Sequence, residues 1–155
     1  MRIVVDIRSL LSPTGRGVAH HTAALLKEMT TAHPKDEWIL FSSGRKAVEL
    51  PEALMKHATS RHVRLPNKLM NVLLMTGLVK LERFTGPADV VFAPNLGYVS
   101  LGKTPLVLTV HDLSYAIRPS WFSWRERWHH LLIRPRALVK RAATVVAVSE
   151  QTKDE

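Results

Sequence analysis

The chain has 155 residues, no cysteine, and 22 Lys and Arg against 13 Asp and Glu, a formal charge of +9. That length supports one domain with a real core, the missing cysteine excludes disulfide frameworks and thiolate sites, and the positive balance favours anionic partners. Nucleic acid is not expected among them, because the sequence carries no zinc-ligand spacing, aromatic RNP-like strand or helix-turn-helix signal.

Arg2 is followed by only three apolar residues before Asp6, too few for a signal-peptide core, so the opening reads as a strand over 3–7. A loop, Ser12 to Gly17, leads into a helix whose Val18, Thr22, Leu25, Leu26 and Met29 recur at helical spacing. His33-Pro34 ends it, since the residue before a proline avoids the helical region. Next come a strand over 38–41, a helix over about 51–57 and a short strand over 62–65. Residues 67–84 read as one long amphipathic helix, closed by Gly86-Pro87 ahead of a strand over 90–93. Its apolar run is interrupted by Asn71, Thr76-Gly77 and Lys80 and falls short of the roughly 20 residues that span a bilayer.

Two further strands, 105–110 and 144–148, flank a helical stretch over 123–142. Ser123 and Glu126 fit a capping box, Pro135 should kink the helix, and Trp124, Trp128, Leu131, Leu132, Leu138 and Val139 mark its buried face. Strands alternating with helices predict an α/β fold: a Rossmann-like, doubly wound, mostly parallel sheet of about six or seven strands with helices on both faces.

Ligands of such sheets bind beyond the carboxyl ends of the strands, which places four groups of residues in view. Gly15-Arg16-Gly17 follows the first strand at a helix start, where bare backbone and free amides favour an anion such as a diphosphate; an ordinary turn is the competing reading. His111-Asp112 ends the fifth strand, where an imidazole can hydrogen-bond a sugar hydroxyl or tune a proton transfer, the bland alternative being a packed His beside a loop-capping Asp. Asn95 ends the 90–93 strand. Ser149-Glu150 ends the last strand and reads first as an N-cap with a first-turn acid.

The doublets His20-His21 and His129-His130 lack the i, i+4 spacing of a helical metal site, so no metal is expected, and no cofactor. No P-loop or Gly-x-Ser-x-Gly elbow supports an NTPase or hydrolase. Two surfaces could meet an anionic membrane: the 67–84 helix with Lys68, Lys80 and Arg83, and Trp121, Phe122 and Trp124 beside Arg118, Arg125 and Arg127.

Val4-Val5-Asp6-Ile7-Arg8, Thr14 to Val18, Asp89 to Asn95, Val110 to Leu113, Pro119 to Ser123 and Arg141-Ala142 to Val148-Ser149-Glu150, in that order, resemble bacterial glycosyltransferases of family 4. The resemblance implies the N-terminal, acceptor-side half of a GT-B fold over 1–155, with the donor-binding C-terminal domain absent, so that this piece alone is expected to be inactive. It implies a retaining transferase that moves a hexose, of mannose or glucose type, from a nucleotide-sugar to a glycan or lipid-linked acceptor. The enzyme is expected to be cytoplasmic, peripheral on the inner face of the membrane. A non-catalytic binding module, or a subunit of a split transferase, is the rival reading. Carried onto this chain, the family pattern implies Gly15 and Gly17 beside the donor diphosphate, His111 against the transferred sugar, and Asp112 and Asn95 shaping the cleft, with His111 and Asp112 the expected catalytic residues. Arg16, Ser149 and Glu150 complete the expected substrate-binding set.

Overall fold

The computed structural model describes residues 1–11, 16–47 and 50–155. Among them are six strands, β1 (Arg2–Asp6), β2 (Glu37–Ser43), β3 (Ala58–Val63), β4 (Val90–Ala93), β5 (Leu106–Val110) and β6 (Thr144–Ala147). All are parallel, in one sheet of order β3-β2-β1-β4-β5-β6. The helices are α1 (Arg16–Ala32), α2 (Glu52–Met55), α3 (Asn67–Met75), α4 (Glu82–Thr85), α5 (Ser114–Ile117), α6 (Trp124–Ile133), α7 (Pro135–Arg141) and α8 (Glu150–Asp154). The expected doubly wound sheet is therefore present.

The period-2 alternation of each strand divides the core in two. Val4, Ile39, Phe41, Val91, Ala93, Leu106 and Leu108 face one side, where Met70, Leu74, Leu81, Ile133 and Leu138 of the 67–138 segment cover them. Ile3, Val5, Trp38, Leu40 and Phe92 face the other, under Leu26 of α1 and Leu54 of α2. Both sides of the central strands are buried, so β1, β2 and β4 read as continuous apolar runs. Each fully buried side chain of this size stabilises the fold by ~1.5–3 kcal/mol.

Three sequence expectations need correction. The single helix over 67–84 is two short ones, because Gly77 adopts φ +71 and ends α3 where an L side chain would be strained. The helix over 123–142 is likewise divided: Arg134, before Pro135, takes a left-handed conformation (φ 56), and α7 starts afresh at the proline. Its Ser123–Glu126 capping box forms as expected. The third correction concerns the stripe expected to be buried. Ile133 and Leu138 are in the core, whereas Trp124, Trp128, Leu131, Leu132 and Val139 are exposed. Helical spacing identifies a face, but nothing in spacing says whether the sheet or the solvent receives it.

Candidate functional site

Strand order reverses between β1 and β4, since the chain winds outward from β1 through β2 to β3 and then crosses to β4. Two connections leave the sheet in opposite directions at that point and open a crevice beyond the strand ends. A cavity of about 140 Å³ lies there. Asp6, Arg8 and Ser9 from the end of β1 line it, with Asn67 and Asn71 of α3, Asn95, Gly97 and Tyr98 after β4, and His129 of α6.

The polar chemistry of this cavity is largely prearranged. Asp6 and Arg8 lie two residues apart, on the same side as Val4. Arg8 Nε and Nη2 donate to the two Asp6 carboxylate oxygens at 2.8 and 2.6 Å. Nη1 donates to Asn71 Oδ1 at 2.9 Å and Nη2 to the Tyr98 carbonyl at 2.8 Å. The guanidinium also stands 5.7 Å from the centre of the Phe41 ring. With most of its donors committed and its charge balanced by Asp6, Arg8 is not a free anion receptor. It is the tie that holds β1, α3 and the β4–β5 loop together.

What remains open is neutral and hydrogen-bonding. Asn71 uses its carbonyl oxygen on Arg8, and Asn67 Oδ1 accepts from Ser43 Oγ at 2.5 Å, so each keeps an NH₂ for another partner. Asn95 Nδ2 donates to the Leu96 carbonyl at 3.1 Å, which keeps its oxygen available. Ser9 Oγ is buried with no partner among the described residues. Amide donors, an amide acceptor and a hydroxyl around a charge-balanced wall suit a ligand with hydroxyl groups better than a phosphate.

His111 sits one strand over. Its Nε2 is 2.9 Å from the Pro94 carbonyl, an acceptor only, so Nε2 carries the proton and Nδ1 is the ring's remaining polar atom. His21 of α1 meets the ring edge to face at 5.2 Å. The bond to Pro94 joins His111 to the residue before Asn95, so imidazole and cavity share one loop. The neighbouring Asp112 is exposed and accepts from the Ser114 backbone N–H at 3.0 Å, a local turn bond ahead of α5.

Ser149 and Glu150 start α8. Ser149 Oγ accepts from the Thr152 backbone N–H at 3.1 Å, while Glu150 is exposed and pairs with Lys153 at 3.2 Å. Thr152 then donates to the His111 carbonyl at 3.3 Å, docking α8 on the end of β5. Gly15 lies outside the described residues. Arg16 and Gly17 are in the first turn of α1 rather than in a loop. A Cβ built on Gly17 meets no atom within 4 Å among the described residues.

Asn67, Asn71, Tyr98 and His129 escaped the sequence reading as site residues. One signal was available: Asn67 and Asn71 stand at i, i+4 in an otherwise apolar run, the spacing of one helix face.

His129 belongs to an aromatic cluster that walls the cavity. Tyr98 Oη is 3.1 Å from His129 Nδ1, Tyr115 stacks on His130 at 4.3 Å, and Phe122 meets His130 edge-on at 5.7 Å. Burial holds His130 below the ordinary imidazole pKa, His129 adds to this, and Asp112 and Glu126 oppose it more weakly. Burial likewise lowers His129. A histidine depressed in the folded state takes up its proton more readily when unfolded. Its contribution is therefore complete above the unfolded pKa, about 6.5, and stability drains as pH falls from there toward the folded value. Thermal melts between about pH 7.5 and 5.5 should show a shallower acid loss for His130→Phe, which keeps the stack on Tyr115. Equal slopes would clear His130 of any part in the acid loss.

A family model described as Glycosyltransferase Family 4 matches residues 15–155. No curated protein and no solved structure matches the chain significantly.

Proposed function

Since the chain belongs to glycosyltransferase family 4, we propose that it is the acceptor-side half of a retaining GT-B transferase that moves a hexose of mannose or glucose type from a nucleotide-sugar. The acceptor in this reading is a lipid-linked sugar or a polysaccharide, and the enzyme works in the cytoplasm against the inner face of the membrane. A donor-binding half, outside residues 1–155, is part of the proposal. The observation that carries it is the cavity at the strand-order reversal, whose one guanidinium is neutralised by Asp6 and whose uncommitted groups are chiefly side-chain amides.

Each residue then has a stated task. Asn67, Asn71 and Asn95 hold acceptor hydroxyls. His111 meets the transferred sugar, its Nδ1 accepting from a sugar hydroxyl while the Pro94 bond fixes the ring. The amides of Arg16 and Gly17, with Gly15, face the donor diphosphate, whose developing charge a helix N-terminus stabilises. Asp112, Ser149 and Glu150 keep the two strand ends in shape through the turn and cap bonds described above.

The test is transfer by the protein that joins these residues to a donor half. Labelled hexose from UDP- and GDP-sugars should appear in lipid or polysaccharide acceptors with its anomeric configuration retained. Inversion, or a folded protein that transfers nothing to either acceptor class, would overturn the reading. Activity that appears only on adding a separate donor-binding chain would instead establish a split transferase.

A further inference from the structure

The outer surface of α5 to α7 has no partner in the fold. Trp121, Trp124 and Trp128 are 73, 67 and 58% exposed, and Leu131 is 64% exposed. Trp124, Trp128, Leu131 and Leu132 recur at i, i+4, i+7 and i+8, so they form one helical face, with Trp121 on the turn just before it. The inner side of the same layer is already satisfied: Tyr115, Phe122 and His130 pack on one another, and Ile133 enters the core.

Charge identifies what could cover this face. Residues 112–141 hold seven Arg and Lys against two acids, Asp112 and Glu126. Both acids already serve local bonds, to the Ser114 N–H and within the Ser123 capping box. Arg127 and Arg141 bond backbone carbonyls, but the side chains of Arg118, Arg125, Arg134, Arg136 and Lys140 are exposed and make no hydrogen bond or ion pair with the described residues. Arg118 and Arg125 lie over the Trp121 and Trp124 rings at 5.9 and 5.3 Å, placing cations beside the aromatic surface. A second copy of the chain would bring the same positive charge to this face and be repelled.

We propose that the α5–α7 face docks on an anionic lipid bilayer, its tryptophans at headgroup depth and its free arginines on the lipid phosphates. Tryptophan suits that depth because one ring offers apolar surface and a polar N–H. Each cation near an anionic surface strengthens binding about fivefold, so the five free ones suffice to hold this face on such a surface. The placement also concerns the cavity, because α6 carries His129 on its wall and α3 carries Asn67 and Asn71. A docked α6 sets that cavity beside the bilayer. The inference deepens the membrane placement given in the proposed function, and its failure would leave the sugar-transfer reading standing.

Three of the four tryptophans of residues 1–155 lie on this face, and the fourth, Trp38, is buried in the core, so emission from these residues responds to docking. The protein, with all the chain it naturally carries, should sediment with phosphatidylglycerol-containing vesicles, and its emission should shift to the blue. Pure phosphatidylcholine vesicles should leave both readings unchanged, and high salt should weaken the binding. Replacing Arg118, Arg125 and Arg136 together with Gln should weaken partitioning on the order of 100-fold. Replacing Trp121, Trp124 and Trp128 together with Ala should weaken it at least about tenfold, and circular dichroism checks that both variants fold. Binding indifferent to lipid charge, binding untouched by the substitutions in folded protein, or no binding at all would overturn the proposal. So would a self-association in velocity sedimentation that the tryptophan variant abolishes.

Discussion

Replacing His111 with alanine in the intact enzyme should lower turnover about 100-fold, the low end of what a positioned proton-handling or hydrogen-bonding group supplies. The expectation rests on how firmly the ring is placed. Its Nε2 proton is held by the Pro94 carbonyl, its edge meets His21, and its own carbonyl anchors α8 through Thr152. An imidazole fixed at one nitrogen presents the other at a defined position, and that orientation lets a single hydrogen bond favour a transition state over the ground state. Alanine keeps the carbonyl that α8 needs and deletes only the ring. The melting temperature should therefore change little while kcat falls, and KM for the sugar donor should move less than kcat. A folded His111→Ala enzyme with wild-type turnover would remove His111 from the reaction.

The sheet was readable because its central strands bury both faces, and a buried strand writes itself as an unbroken apolar run bounded by polar turns. Val90 to Ala93 matches its strand to the residue. The 58–63 strand reads less well, because at the sheet edge its burial is partial and Thr59, Ser60 and Arg61 dilute the pattern. Pro135 was visible as a breaker and Gly77 only as an interruption of an apolar run, and the length of helix on either side depends on the conformations of Gly77 and Arg134, which residue type alone leaves open. The site divides in the same way. His111 and Asn95 stand next to strands and could be singled out from local sequence. The cavity could not, because its wall is assembled from residues far apart in the chain: Arg8 meets Asn71 across 63 positions and the Tyr98 carbonyl across 90. Pairings of that range are properties of the topology. The outward tryptophans teach the converse lesson, since an apolar stripe on a helix predicts a partner without saying which one.

Arg8→Ala should cost about 3–5 kcal/mol, the range for breaking a buried ion pair from one side, against a total stability of roughly 5–15 kcal/mol. The Asp6 and Arg8 side chains are only 10 and 11% exposed, so the variant would strand a largely buried carboxylate on the cavity wall. Its only other described donor is the backbone N–H of residue 8, at 3.2 Å. Asn71 Oδ1 and the Tyr98 carbonyl would lose their donor at the same moment. Arg8→Lys should fare only partly better, because a single ammonium can meet Asp6 but does not reproduce the planar fork that reaches both other acceptors. Urea midpoints for Arg8→Ala, Asp6→Asn and Asp6→Asn/Arg8→Met separate the causes. If the loss is the stranded charge, the double variant should recover much of it, since an uncharged pair of similar volume restores packing without a bare ion. An Arg8→Ala loss within about 1 kcal/mol of wild type would show the pair to be solvated and of little weight. The same residues line the cavity at the strand-order reversal, so a pair with the expected strength makes the shape of that cavity a consequence of the electrostatics that hold β1 against α3.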